Sequence, residues 1–350
     1  LKAVAMSWAI MVGHRDGGDP LPAWQDSALY VALAMALFTM LFGTRRASAA
    51  EHNRGLVLAL AFEAVFKLAA MLAIGAFVWL GLREAVAAAA PLPDLPTGVA
   101  GGFAPLVVLG ALAMFILPHQ FHVAVVECRE PAHVRSARWL FPVYLVLIAL
   151  PVLPLARAGD ALLGGSGIPS DLYVLALPLA AGHEGLALFG FLGGLSAATG
   201  MVVVGTLTLS LMIGNHWLAP SLLRGAWRRE DAGDLRGVVL LLRRAGIVVI
   251  LLLAWAYSRL VAGNDTLADL GAVSFSALAT LAPALGFAVW RPQTPAHAAS
   301  AGIIAAFAAW IDAASPGGAG GGEWRAAPAA DDPQALADRI GSLRARNFAM

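Results

Sequence analysis

Apolar residues run through this chain in long unbroken blocks, and the polar and charged residues gather between them. An α-helix needs roughly 20 such residues to cross about 30 Å of hydrocarbon. In lipid the backbone must satisfy its own hydrogen bonds, so blocks of this length are helices. Membrane β-barrels show apolar–polar alternation over about 10 residues, and none occurs here. The pattern predicts seven full or nearly full spans, at 28–43, 56–82, 103–127, 138–158, 185–213, 237–262 and 267–290. A weaker eighth covers 297–312, and a half-span at 1–12 precedes them all. Turn chemistry separates the blocks, as in Gly17-Gly18-Asp19-Pro20 and Pro91-Leu92-Pro93-Asp94. Ser170–Ala180 reads as a short interfacial helix opened by a Ser170 cap. The fold class is therefore all-α, a polytopic transmembrane helix bundle.

Arginine placement orients the bundle. Counting Lys and Arg in alternate connections gives thirteen on one side and four on the other. The rich set includes Arg45, Arg46 and Arg54, then Arg129, Arg135 and Arg138, then the run from Arg224 to Arg244, then Arg291. The poor set is Arg15, Arg83, Arg157 and Arg259. Positive residues stay on the cytoplasmic side, which assigns 44–55, 128–137, 214–236 and 291–296 to it. Trp24, Trp79, Trp139, Trp217, Trp290 and Trp310 fall at or near the ends of the blocks, where indoles favour the membrane interface.

Composition agrees. Of 350 residues 59% are hydrophobic and 13% charged, with mean hydropathy +0.76. A soluble domain carries about 25% charged residues, so this chain cannot build a polar shell. The net charge of +1 makes no case for nucleic-acid binding. The single cysteine, Cys128, cannot form an internal disulfide. The chain opens on Leu1 inside an apolar stretch, which reads as a fragment of a longer protein. Residues 1–312 form the transmembrane domain. Residues 313–350 hold a Gly-rich linker, Ser315–Gly322, and a short amphipathic tail. In that tail Asp332 and Pro333 open a helix bearing Leu336, Ile340 and Leu343, either a solvated helix or a partner-binding one. The chain is expected in the cell inner (plasma) membrane as a multi-pass protein.

Three features carry candidate chemistry. Glu63 and Lys67 lie well inside the second block, and a lone charge at mid-bilayer costs at least about 2.5–3.5 kcal/mol. Their i, i+4 spacing with Glu first suits a helical ion pair, either a structural bridge or a gating or proton-linked pair. Pro118 interrupts the third block, and His119 and Gln120 follow it. A proline removes a backbone bond, and freed carbonyls at membrane depth are tolerated where they line a cavity. The break is either a cavity-lining one or a structural kink. A metal site fits poorly, because His119, His122 and Glu127 do not share a helical face. In Gly190–Met201, Gly190 and Gly194 form a small-xxx-small pattern, while Ser196 and Thr199 place two hydroxyls on one face. Those hydroxyls are either an interhelical hydrogen-bonding pair or part of an oxygen cage for Na⁺.

At these stretches the chain resembles the sodium:solute symporter family, most closely the branch whose transporter module is fused to a sensor histidine kinase. The resemblance rests on Phe42–Lys67 (FGTRRASAAEHNRGLVLALAFEAVFK), Leu117–Glu127 (LPHQFHVAVVE), Ala137–Pro142 (ARWLFP), Phe191–Met201 (FLGGLSAATGM), Arg243–Ile247 (RRAGI) and Ser274–Trp290, with Phe275, Pro283 and Trp290. It implies a partial LeuT-like fold of two inverted five-helix repeats. On that map 103–290 is the second repeat, and 1–82 is the end of the third helix of the first repeat plus its fourth and fifth. The first two core helices, one of them discontinuous, are then absent, and this fragment would not transport alone. The family holds Na⁺ partly on adjacent hydroxyl residues of the third helix of the second repeat. Ser196 and Thr199 occupy that region three apart rather than side by side, so Na⁺ and H⁺ both stand as coupling ions.

The expected function is the membrane module of a cation-coupled symporter-like protein. It would bind a small organic solute, amino-acid-like compounds among the candidates, near the bilayer midplane. Ser196 and Thr199 would hold the ion, Pro118, His119 and Gln120 would line the path, and Glu63–Lys67 would support the bundle or couple protons. The alternative is the solute-sensing input domain of a sensor histidine kinase whose kinase domain lies outside this chain. No enzyme chemistry is expected, since the chain shows no nucleotide site, no nucleophile–base pair and no metal constellation. In a Cys128→Ser background, Arg45→Cys and Arg83→Cys should react with a membrane-impermeant thiol reagent from opposite sides of intact cells or vesicles. Labelling from the same side would overturn the orientation.

Overall fold

A computed structural model describes residues 1–12, 22, 24, 26–43, 54–88, 100–128, 130–164, 168–218, 220, 236–260, 267–291 and 293–314. The expected linker and amphipathic tail after Ala314 lie outside the described residues. Among the described residues every regular element is helical and there is no strand. The helices are α1 (Lys2–Val12), α2 (Ser27–Gly43), α3 (Arg54–Gly81), α4 (Arg83–Ala88), α5 (Ala100–Ile116) and α6 (Pro118–Phe121), which runs into a π-helical turn at His122–Val126. They continue as α7 (Pro131–Ala149), α8 (Val152–Leu163), α9 (Tyr173–Ala180), α10 (Glu184–Ile213, ending in a π-helical turn at Gly214–Leu218) and α11 (Arg236–Leu260). The last three are α12 (Leu267–Ala279), α13 (Ala282–Trp290) and α14 (Ala296–Ala314).

Four of the described segments are long and apolar enough to cross a membrane: Gly55–Gly81, Pro131–Leu163, Glu184–Trp217 and Gly237–Arg259. A fifth is a broken one, Val107–Ile116 with Pro118–Val126, bent by 58°. Of the seven full or nearly full spans expected, these five segments match 56–82, 103–127, 138–158, 185–213 and 237–262, while 28–43 and 267–290 appear among the described residues as shorter apolar helices, Ser27–Leu41 and Ser274–Trp290. The 17 residues of α2 rise only about 26 Å at 1.5 Å per residue. The block at 267–290 is divided, because the amides of Thr280 and Leu281 close i→i+3 turns on Ala277 and Leu278 and Pro283 then opens α13. A proline at that position has no N–H to continue the preceding helix.

Ser170–Ala180 also differs from expectation. Ser170 starts a 3₁₀ turn, Ser170–Leu172, and makes no side-chain cap; α9 follows from Tyr173. α9 is packed within the first of two compact units. Leu175, Ala176, Leu177, Pro178 and Ala180 are all buried. A helix that is apolar all round has no face to give to water, so it packs inward.

The described chain divides into two compact units. The first contains α1–α4 and α7–α11, and α10 is its hub, packed against α1, α2, α3, α9 and α11. Its central contact is antiparallel. Phe77 near the end of α3 meets His183 at the start of α10, with ring centroids 5.2 Å apart. At the other end Leu56 packs with Val203 and Leu207. Glycines bring the two helices together. A Cβ on Gly190 would lie 2.6 Å from Ile74 Cδ1, and one on Gly193 would lie 2.6 Å from Ala70 Cβ. Gly194, half of the expected small-xxx-small pair, meets nothing within 4 Å. The contact face follows Gly190, Gly193 and Gly200, since those positions recur on one side of a helix while residue 194 turns away from it.

Helix directions in this unit obey the arginine phase. Gly43, Leu56, Leu207 and the Asn215–Arg243 pair mark one end. Ile10, Val78 and Leu82 share a core near the other end. Tyr144 reaches Ala64 and Pro151 abuts Gly75, so α7 runs parallel to α3 and starts at the Gly43 end. The ends of α2 and α10 and the starts of α3, α7 and α11 therefore share one end, as the loop charges require. At the opposite end Asp26 caps α2 by accepting from the Ala28 amide at 2.9 Å. Its other oxygen accepts from Trp255 Nε1 at 2.9 Å and pairs with Arg259 at 3.4 Å. Nearby, a methyl on Gly159 would overlap the Tyr173 ring, whose hydroxyl donates to Asp160 at 3.1 Å. Burial first, and then Asp160, push that phenol up to about 12, so it remains a neutral donor at physiological pH.

The second unit contains α5, α6 and α12–α14, with α5 packed against α12 and α13, and α14 against both α12 and α13. Trp310 is half-buried here, donating its indole N–H to Ser276 Oγ at 3.0 Å. The outward faces of both units carry large apolar side chains, among them Phe62, Leu80, Leu140, Val249, Trp290 and Ile304. Exposure of this extent marks a surface that faces hydrocarbon. The protein is a multi-pass membrane protein.

Two adjacent glycines give opposite predictions. Gly193→Ala should lower the thermal midpoint of the detergent-solubilised protein, since overpacking costs about 1–3 kcal/mol. Gly194→Ala should leave it unchanged or raise it slightly, because alanine is the better helix former by about 1 kcal/mol.

Candidate functional site

Within the first unit an open cavity of about 390 Å³ lies between α2, α3 and α10, its mouth at the exposed side chains of Phe38, Phe62 and Leu192. Its wall is mostly apolar, with Phe38, Leu60, Phe66 and Leu192 among the lining residues. Three polar side chains break it: Glu63 from α3, and Ser196 and Thr199 from α10. Two features that stand 133 residues apart or more in the sequence thus share one cavity.

Each group has a local reason for its position. Glu63 and Lys67 form the expected i, i+4 pair, with Nζ 3.6 Å from Oε1. The Glu63 side chain is 13% exposed and that of Lys67 30%. The Glu63 carboxylate lies directly on Gly200, where any Cβ would overlap it. The Thr199 hydroxyl donates to the Leu195 carbonyl of its own helix at 2.7 Å. Its hydrogen is committed, so its oxygen meets the cavity as an acceptor. Ser196, one turn away, is half-buried and keeps its hydroxyl available. The arrangement is one carboxylate and two hydroxyl oxygens at an apolar wall, a donor set suited to a cation.

Pro118, His119 and Gln120 belong to the second unit. The break expected at Pro118 is present. Leu117 is extended, with φ −64° and ψ 120°, and Pro118 opens α6. Its missing N–H leaves the Met114 carbonyl without its helical donor. His119 and Gln120 are half-buried just beyond the break, and His122 is buried at the start of the π-helical turn.

Several supporting residues were not singled out from sequence. Tyr144 of α7 donates to the Ala64 carbonyl at 3.3 Å, one residue from Glu63. Arg243 is buried and donates to Asn215 Oδ1 at 2.9 Å, while the Ser210 hydroxyl donates to the Arg243 carbonyl at 2.7 Å. A cation close to the C-terminal end of α10 also complements the helix dipole. Asp26, directly before Ser27, carried a legible helix-start signal. Gly200 was legible through its seven-residue spacing from Gly193. Arg243 stood out only as one of the loop arginines and in the Arg243–Ile247 stretch, and Tyr144 not at all, since their partners lie 28 and 80 residues away.

No protein-family model, curated protein or solved structure matches this chain.

The ion pair makes a testable claim about stability. Glu63→Gln and Lys67→Met should each destabilise the protein by leaving one intramembrane charge uncompensated. The double variant should recover part of that loss. A coupling of about 1 kcal/mol is expected, at the lower end of the range for contacting residues because Lys67 is partly exposed. Thermal melts of the four proteins in detergent measure it.

Proposed function

We propose that this chain is the transmembrane module of a cation-coupled solute symporter-like protein of the plasma membrane. The observation that carries this reading is the convergence of Glu63, Ser196 and Thr199 on one cavity within two antiparallel spans. Charged and hydroxyl groups inside a membrane are costly and tend to mark ion or substrate pathways. The broken helix at Pro118, with His119 and Gln120 beyond it, supports the same reading, because transporter sites use discontinuous helices. In this reading the fold is a partial LeuT-like one, Ser196 and Thr199 hold Na⁺ or serve a proton-coupled cycle, and His119 and Gln120 line the path. The cargo is a small organic solute near the midplane.

The test is uptake of a panel of radiolabelled amino acids and small organic acids by the intact protein in proteoliposomes, with and without a Na⁺ gradient. Gradient-dependent uptake that falls about tenfold or more in Ser196→Ala/Thr199→Ala supports the reading, since each tenfold corresponds to about 1.4 kcal/mol. Solute binding with no uptake under any gradient would overturn transport. It would favour the sensing alternative, in which solute occupancy biases a fused kinase domain.

A further inference from the structure

We infer that Lys67 is a tethered cation, which occupies Glu63 while the ion site is empty and is exchanged for a Na⁺-sized monovalent cation when it fills. The inference deepens the transport reading and rests on it.

The Glu63 carboxylate has two differently placed oxygens. Oε1 faces Lys67 Nζ at 3.6 Å. Oε2 lies over Gly200, next in sequence to Thr199 and one turn from Ser196. Only a glycine admits the carboxylate there. The same carboxylate therefore meets an ammonium on its own helix and, on the partner helix, the glycine beside Thr199, in the cavity that both α10 hydroxyl residues line. No other described group of opposite or like charge meets it. The α10 stretch from Gly190 to Val203 has no ionisable side chain, and α7 brings only Tyr144, whose hydroxyl donates to the Ala64 carbonyl.

Charge balance then dictates exchange. The cavity wall is apolar, so an uncompensated carboxylate at this depth is expensive. While Glu63 is ionised, one positive charge is needed near it. A divalent ion would demand more anionic oxygen than one carboxylate and two hydroxyls supply. A monovalent ion matches the site, and Lys67 supplies the same single charge in its absence. The ammonium has somewhere to go, because Lys67 is the more exposed partner and sits on a flexible four-carbon stem. The ion pair is looser than an optimal charge-assisted hydrogen bond, which spans about 2.7–2.9 Å, and so it is suited to being exchanged.

The experiment is ²²Na⁺ binding to the intact protein in lipid nanodiscs, with solute uptake measured in parallel. Lys67→Met removes the competitor and should tighten Na⁺ binding about tenfold or more; Glu63→Gln should weaken it by at least as much. A second readout needs no variant. The chain has two lysines, Lys2 and Lys67, so labelling of Lys67 by a small amine reagent can be followed by mass spectrometry. Labelling should rise as Na⁺ is added, and not with choline. If Na⁺ binding depends on Ser196 and Thr199 but neither Lys67→Met nor Glu63→Gln changes it, the exchange is wrong and the transport reading stands. Lys67 labelling indifferent to Na⁺, or responsive only to protons, overturns the exchange as well. Absence of both solute uptake and solute binding would sink the transport reading itself.

Discussion

The antiparallel contact between α3 and α10 organises the first unit. In lipid the hydrophobic effect gives helices little reason to associate, because lipid tails are as apolar as leucine. Close van der Waals approach and satisfied polar groups must do it instead. Here Gly190, Gly193 and Gly200 remove the side chains that would hold the helices apart, and Ile74, Ala70 and Glu63 fill the space they leave. The same contact that packs the unit also sets the carboxylate on Gly200, in the cavity that Ser196 and Thr199 line. Packing and candidate chemistry are thus one feature viewed at different depths.

Polar interactions at either end keep that contact in register. Asp26 caps α2 and binds Trp255 and Arg259, tying the start of α2 to the end of α11. At the opposite end Arg243, Asn215 and Ser210 tie α10 to α11. Both are inter-helix links around buried or half-buried charge, which is stable only when its hydrogen bonds are met. Between them, the apolar cores around Ile74, Leu177 and Ile247 fix distance without fixing register.

The cavity differs from those anchors in being only partly satisfied. Thr199 has its donor committed, Ser196 has not, and Glu63 has a lysine at a separation that favours neither tight pairing nor freedom. A site meant only to hold the bundle together would gain from being closed.

Composition and block length in the sequence determined an all-helical membrane chain, and the alternation of arginines anticipated the helix directions within the first unit. These properties follow from solvent: lipid forces backbone hydrogen bonding within each segment, and that requirement is local. Local spacing also exposed the Glu63–Lys67 pair and the break at Pro118, since one helical turn or one missing N–H suffices to define them. Tertiary structure alone decided that Glu63 meets Gly200 as well as Lys67 of its own helix, that Gly193 and not Gly194 faces α3, and that α9 is buried among neighbouring helices. It also decided that a turn at Thr280 and Leu281 separates α12 from α13. Each of these depends on which face a neighbour covers. Helix periodicity leaves that open when a segment is apolar on every side, because no polar stripe marks the outside.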